Sequence, residues 1–342
     1  MTERQLRALP KVELHRHLDG SIRPETVLDL ARHHNLDIDT SDPAALTRRI
    51  TVSEPADLGT ILTAFDTIQK VSCSYEAIRR ITFENVEDCV RDGVELAELR
   101  FSPVFIALNK TLGNDEIIEG VLDGVAEAMD RYDIQVGLIH IVSRTLDPEL
   151  NRRSTEDAIA YAQRATHRCA DRIVGFDLAD REALSEPEDF SDLVALARGA
   201  GLGITVHSGE ETGPEHVARS VEVLGASRIG HGISARQSPE VMAMLAERGV
   251  LLELCPTSNW LTQAVPDPAA HPLPEFRDAG VPVSINSDDP QLMGIDLVNE
   301  YAVVQQHFGC DADAFMAMNR DALAASFLPE DITAHVRSKH FA

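Results

Sequence analysis

Cysteine is sparse in this chain, lysine sparser, and a long apolar run is missing altogether. Cys73, Cys89, Cys169, Cys255 and Cys310 are odd in number, widely spaced and free of any C-x-x-C pair. That argues against a disulfide framework and for free thiols in a reducing compartment, so a cytoplasmic location is expected. No stretch approaches the length of a membrane span, and Met1-Thr2-Glu3-Arg4 leads into no apolar signal region, so neither an anchor nor a leader is expected. Positive charge is short as well: 31 Lys and Arg stand against 56 Asp and Glu, a formal charge of −25. Nucleic acid and anionic membrane surfaces would both be repelled, and neither is expected as a partner.

What is present has the make-up of a packed enzyme, with 44% hydrophobic residues in 342. That length suits one large α/β unit, and residues 1–342 are expected to form a single domain. Strand-like runs fall at residues 12–18, 96–102, 136–142, 173–178, 203–207, 228–231, 250–254 and 283–286, with helix-like spacing between them. Ser238-Pro239-Glu240 and Thr212-Gly213-Pro214-Glu215 carry helix-start signals. Eight strands separated by helices predict a (β/α)8 TIM barrel of the α/β class. Residues 21–91 contain no convincing strand and predict a helical insertion after the first one. The tail after Asp311 reads as helix closing the bottom or side of the barrel.

Val12-Glu13-Leu14-His15-Arg16-His17-Leu18-Asp19-Gly20 places two histidines one residue apart in a strand, where both emerge on one face. An H-x-H pair alone says little. The remaining metal-type residues also fall at strand ends: His207 at the fifth, His231 at the sixth, Asp288-Asp289 at the eighth. In a barrel those ends meet at one mouth. Three neutral imidazoles and a carboxylate suit zinc with a position left for water, and the metal would create hydroxide near neutral pH. Glu210, three residues past His207, is placed to give a proton to a substrate nitrogen. Singly, a strand-end histidine is ordinarily a satisfied polar residue, and Glu210, Asp288 and Asp289 read as caps or turn residues. Their convergence on one end is what such local readings leave unexplained.

The motifs Pro10-Lys11-Val12-Glu13-Leu14-His15-Arg16-His17-Leu18-Asp19-Gly20, His207-Ser208-Gly209-Glu210, Arg228-Ile229-Gly230-His231-Gly232, Leu254-Cys255-Pro256-Thr257-Ser258-Asn259 and Ser284-Ile285-Asn286-Ser287-Asp288-Asp289-Pro290 occur in this order. In them, from Pro10 to about Tyr301, the chain resembles the adenosine deaminase family of metal-dependent hydrolases. The resemblance implies one Zn2+ per chain, held by His15, His17, His207 and Asp288, and a purine nucleoside as small-molecule substrate. It implies that Glu210 protonates ring nitrogen 1 while hydroxide attacks carbon 6. His231 would orient that hydroxide and stabilise its charge or take its proton. Asp289 would accept a hydrogen bond from the attacking hydroxyl or departing amine, and Asp19 would contact the ribose. Leu58, Ile61, Leu62 and Phe65 form an apolar helical stripe whose ordinary reading is core packing; the resemblance makes it a wall over purine and ribose.

One position departs from the family. Where it has D-L-A-G-D-E, this chain reads Asp177-Leu178-Ala179-Asp180-Arg181-Glu182. Asp180 still offers a backbone N–H toward purine nitrogen 3, but its side chain brings bulk and charge where glycine permits close approach. Deamination of aminodeoxyfutalosine therefore stays open beside adenosine. Adenine deamination is disfavoured because Asp19 stands where the free-base enzymes usually carry Glu. The H-x-E and P-C-x-x-C of cytidine-type deaminases and the H-E-x-x-H of zinc proteases are absent. Lys11, Lys70, Lys110 and Lys339 are the only lysines and none ends a core strand, which argues against a lysine-bridged pair of metals. A non-catalytic nucleoside-binding protein on the same fold would be marked by loss of a ligand or of the acid, and all are present.

Overall fold

The eight apolar runs become β1 (Lys11–His17), β2 (Val94–Phe101), β3 (Gln135–Ser143), β4 (Ile173–Ala179), β5 (Gly203–Ser208), β6 (Arg228–His231), β7 (Leu251–Leu254) and β8 (Val283–Ile285). A computed structural model describes residues 1–56, 58–108, 110–164 and 167–341, leaving out the side chains of Leu58 and Leu62. The strands lie in one parallel sheet in sequence order, each paired with the next. This is the expected (β/α)8 barrel, with strand bounds within two residues of those read from the sequence.

The helices between strands begin where local chemistry dictates. Ser74 caps Tyr75–Arg91 through Ala77 N, and Ser238 caps Pro239–Arg248 through Val241 N. Among the described residues the insertion after β1 has four helices and no strand: Pro24–His33, Pro43–Ile50, Leu58–Gln69 and Tyr75–Arg91. No helix among the described residues is long and apolar enough to cross a membrane.

The sheet closes where β8 meets β1, and the seam runs through residues of the strand-end cluster. Asp288 N donates to His15 O at 3.1 Å, and His17 N donates to Asp288 O at 2.8 Å. Below this bridge a side chain completes the ladder: Asn286 Oδ1 accepts from Leu14 N at 2.9 Å and His15 N at 3.2 Å. A side chain thus stands in for a main-chain carbonyl and pairs the buried N–H groups of Leu14 and His15 at the seam.

At the amino ends of the strands the tail closes the floor, as the sequence suggested. Helix Ala312–Ala325 packs on β8 and β1, and helix Glu330–His340 follows it. Phe327 and Leu328, between these helices, press on β-strand glycines. A Cβ on Gly203 would stand 2.2 Å from Phe327 Cδ1, one on Gly175 2.8 Å from Cδ2, and one on Gly137 3.2 Å from Leu328 Cγ. Strand glycines of this kind mark a close approach of other chain. Phe327 also lies under the Arg228 guanidinium, 3.7 Å from Cζ to ring centroid, a desolvated cation–π contact.

The fit between strand and plug is testable. Gly203→Ala should destabilise the fold by about 1–3 kcal/mol through overpacking. In a denaturant double-mutant cycle, Phe327→Ala should remove most of that penalty; additive effects would show that the two positions do not touch.

Candidate active site

The barrel interior is polar where most such barrels are aliphatic. Glu98 and Arg100 on β2, Asp177 on β4, Arg228 on β6 and Glu253 on β7 are all fully buried. Arg100 donates to Asp177 at 2.8 Å and to Glu253 at 2.7 Å, while Arg228 pairs with Glu98 and Glu253, each at 2.7 Å. Three carboxylates thus face two guanidiniums, so one negative charge of the set is left over, beneath the imidazoles. Burial alone would raise Glu253, yet Arg100, Arg228 and His15 hold it well below the ordinary carboxylate range.

These carboxylates set the tautomers of the histidines above them. His15 Nδ1 lies 2.9 Å from Glu253 Oε2, and His207 Nδ1 lies 3.0 Å from Asp177 Oδ2. An ionised carboxylate only accepts, so both Nδ1 atoms carry hydrogen, and in a neutral ring Nε2 is left with a free lone pair. His207 is further fixed by Arg144, which donates to its carbonyl at 2.7 Å.

The Nε2 atoms converge. His15 Nε2 lies 3.1 Å from Asp288 Oδ1; His17 Nε2 lies 3.3 Å from that oxygen and 3.2 Å from His207 Nε2. One ligand-type atom each from His15, His207, His231 and Asp288 falls within 4.8 Å of the others. His15 Nε2 is buried and finds no hydrogen-bond partner among the described residues. A buried Nε2 without a hydrogen-bond partner, beside a carboxylate that against burial holds the His15 imidazole above its ordinary pKa and with two further imidazoles near, is a place where positive charge is favoured, and such a donor set fits a cation in place of that proton.

His231 ends β6 and Asp288 follows β8 with φ of 62° each, and Asp180 follows β4 with φ of 78°. Such left-handed non-glycine residues are uncommon and gather at functional sites. Asp288 Oδ2 accepts from Ser258 Oγ at 2.6 Å. Asp289 occupies the N-cap position of Pro290–Met293 but makes no capping bond, so the cap reading does not account for it. Its Oδ1 lacks a partner among the described residues and sits against Gly20, where a Cβ would come within 1.8 Å. Burial, and then Asp288, Asp19 and Glu210 nearby, push the Asp289 carboxyl well up.

Glu210 stands on a loop pinned from below. The buried Glu182 carboxylate accepts from Gly209 N at 2.6 Å, Glu210 N at 3.0 Å and the Thr212 hydroxyl. Glu210 Oε1 accepts from Asn259 Nδ2 at 3.0 Å and Thr262 Oγ1 at 2.8 Å, while Oε2 lies 3.5 Å from His231 Nε2. Asn259, with Ser258, belongs to the short helix Pro256–Leu261 after β7, and its amide nitrogen also reaches His231 Nδ1 at 3.1 Å.

Asp19 is buried, its carbonyl accepting from Gln69 Nε2 at 3.0 Å at the end of helix Leu58–Gln69. Burial raises its carboxyl to about 7 against the opposing pull of Ser102 N–H and Lys110. On that helix Ile61 is buried, and the half-buried Phe65 packs edge-on to Phe105 with centroids 6.3 Å apart. The side chains of Leu58 and Leu62 lie outside the described residues. Asp180 takes a backbone conformation natural to glycine, and its carboxylate accepts from Ser143 Oγ at 2.5 Å, from the Thr145 hydroxyl and from Arg181 N at 2.8 Å.

Sequence reasoning did not single out Glu253, Asp177, Arg100, Glu182, Asn259 or Thr262. Glu253 and Arg100 carried a usable signal, being charges in the otherwise apolar runs Leu251-Leu252-Glu253-Leu254 and Leu99-Arg100-Phe101.

The chain matches the family profile described as adenosine deaminase over residues 10–340. It is 38% identical over 333 residues to the adenosine deaminase of Escherichia coli O1:K1, covering 97% of both chains. Among solved structures it resembles the adenine deaminase of Arthrobacter aurescens, at 25% identity and a TM-score of 0.85, covering 97% of this chain and 98% of that one. It also resembles the N6-methyl-AMP deaminase of Arabidopsis thaliana, at 26% identity and a TM-score of 0.84, covering 98% and 97%.

If Glu253 orients His15, Glu253→Gln should weaken binding of a divalent cation about 10–100-fold, as loss of an outer-shell partner does. Competition with a chromogenic chelator measures this, with Glu210→Gln as the reference at wild-type affinity. Equal affinity of both variants would remove Glu253 from that role.

Proposed function

Because this chain belongs to the adenosine deaminase family, we infer that it hydrolyses the amino group from a 6-aminopurine nucleoside, adenosine first, releasing ammonia and an inosine-type product. The observation that carries this reading is the placing of Glu210 beside His231 at the mouth where the lone pairs of His15 and His207 converge with His17 and Asp288. We assign His15, His17, His207 and Asp288 to one Zn2+, since three imidazoles and a carboxylate form a donor set suited to zinc rather than to magnesium or calcium. When bound, zinc lowers the pKa of water and supplies hydroxide near neutral pH.

The chain's own residues do the rest. Glu210 Oε1 already accepts two hydrogen bonds, so the proton for ring nitrogen 1 leaves from Oε2. Protonation there draws electrons from carbon 6 and opens it to attack. His231, 3.5 Å from Glu210 Oε2, orients the attacking hydroxyl and stabilises its charge or takes its proton. Asp289, with an unpartnered buried oxygen, accepts from that hydroxyl or from the departing amine. Asp19 meets the ribose, and the stripe on helix Leu58–Gln69, of which Ile61 and Phe65 are described, excludes water from the purine.

Asp180 is the residue on which substrate choice turns. Its left-handed backbone keeps the path that glycine takes, and Ser143 and Thr145 hold its carboxylate. That supports a purine approaching the Asp180 N–H as in the glycine-bearing relatives, and hence adenosine as the first reading. We also read residues 1–342 as a single catalytic unit acting in purine metabolism in the cytoplasm, consistent with five unpaired cysteines.

Glu210→Gln should retain the cation and lose about 10²–10⁴-fold in kcat, because an amide has no proton to give; near-normal turnover would refute the assignment. Substrate class is tested by offering adenosine, deoxyadenosine, adenine, AMP and aminodeoxyfutalosine side by side to metal-analysed enzyme and following ammonia. Adenosine should lead, and Asp180→Gly should shift the ranking further toward it. A ranking led by another compound would replace adenosine, and an unmoved one would make Asp180 irrelevant to choice.

A further inference from the structure

We infer, building on the roles assigned above to Glu210 and His231, that His271 and Asn259 form a relay of hydrogen bonds that sets which atoms of both residues carry protons. His271 and Asn259 are buried and lie behind the site.

The relay is anchored by a group whose polarity cannot change. Leu273 N–H donates to His271 Nδ1 at 3.2 Å. A main-chain N–H never accepts, so Nδ1 bears the lone pair and the proton of a neutral imidazole sits on Nε2. The ring is neutral at ordinary pH: burial, with His231 and Arg236 adding, holds it down at about 3. Pro272, with no N–H of its own, separates His271 from the helix Leu273–Asp278 whose first amide supplies the anchor.

From that anchor each orientation follows. His271 Nε2–H faces Asn259 Oδ1 at 3.3 Å. An amide has one accepting and one donating end, so Nδ2 is turned to the opposite side. There its two hydrogens meet Glu210 Oε1 at 3.0 Å and His231 Nδ1 at 3.1 Å. His231 Nδ1 must therefore be bare, and its ring proton lies on Nε2, which faces Glu210 Oε2. Glu210 Oε1 must likewise accept, and Thr262 Oγ1 completes it at 2.8 Å. One main-chain N–H thus decides, through two side chains, that Glu210 gives its proton from Oε2 and that His231 presents Nε2–H to the mouth. Of the two roles assigned to His231, this selects orienting the hydroxyl and stabilising its charge over taking its proton.

The helix that carries Asn259 is held in register independently of this chain of bonds. Glu300 accepts from Thr257 N at 2.9 Å, and Ser258 Oγ donates to Asp288 at 2.6 Å. His271 and Asn259 touch no substrate in this scheme. They are positioning residues, acting through the amide.

The experiment compares His271→Gln with His271→Met in metal-loaded full-length enzyme. The two side chains are close in length and volume, and only Gln keeps an N–H near the position of Nε2. His271→Met should lower kcat about tenfold or more, with KM and metal content near wild type, while His271→Gln stays within about threefold of wild type. A packing role alone would move both variants together, and equal kcat values would overturn the relay.

Side-chain 15N resonances of His231, identified by their loss in His231→Gln, give a second readout without substrate. Nδ1 should appear unprotonated in the wild type and become protonated in Asn259→Asp, whose carboxylate accepts where the amide donates. A protonated Nδ1 in the wild type would overturn the relay even if no His271 variant folds. Should the wild-type enzyme release no ammonia from any 6-aminopurine, the functional reading fails, and the tautomer measurement still decides the relay by itself.

Discussion

A single carboxylate at the centre of the barrel, Glu253, holds the arrangement together. It accepts from Arg100, Thr205 and His15 and is ion-paired with Arg228, side chains that arrive from β2, β5, β1 and β6. Removing these charges from water is expensive, and a half-satisfied set of this kind would be worse than an aliphatic core. With each of its carboxylates ion-paired to a guanidinium, the set defines where each strand must stand and which nitrogen of His15 is free. The pairing is also uneven in charge, so the floor of the site is negative before any cation arrives. Fold and site are therefore not separable layers here: the residues that fill the barrel are the ones that orient the imidazoles.

The mouth is rigid for complementary reasons. His231 and Asp288 are held with positive φ at strand ends, a conformation that persists only when the surroundings over-determine it. For Asp288 those surroundings include the seam with β1 and the Ser258 hydroxyl. For His231 and Glu210 they include the amide of Asn259, and for the Glu210 loop the buried Glu182. Two strand-end residues and one loop thus rest on supports drawn from other parts of the chain, which gives a site held by packed elements more precision than a free loop would.

Much of this was legible in the sequence, in a particular way. Strand positions followed from apolar runs bounded by turn signals, because burial of a strand writes itself into consecutive residues. His15, His17, His207, His231, Asp288 and Asp289 could be named because the barrel converts position at a strand end into proximity at one mouth. No role could be given to Asp177 or Asn259, though both lie in the quoted motifs, and the charge of Glu253 within an apolar run marked it without saying what it does. These roles are a matter of hydrogen-bond direction between residues far apart in sequence, 238 positions in the case of Glu253 and His15. Asp180 shows the limit differently. From sequence it was bulk in place of glycine; in the fold it adopts glycine's backbone and spends its charge on two neighbouring hydroxyls. Which way a side chain turns is set by partners, here Ser143 and Thr145, that no local pattern announces.

Phe327 and Leu328, at the far end of the barrel, bring in the dimension of chain order. They follow all eight strands in sequence, yet they seal the underside of Gly137, Gly175 and Gly203, and Glu98 is completed only by Ser326 Oγ and Phe327 N, both at 2.6 Å. As the chain leaves a ribosome, every strand is made before the plug that shields their shared charges from water. A nascent barrel lacking those last residues holds Arg228 and Glu98 beside an open floor, where water competes for each of their bonds. Synthesis of Ser326, Phe327 and Leu328 is thus a structural event for a site that lies at the opposite mouth.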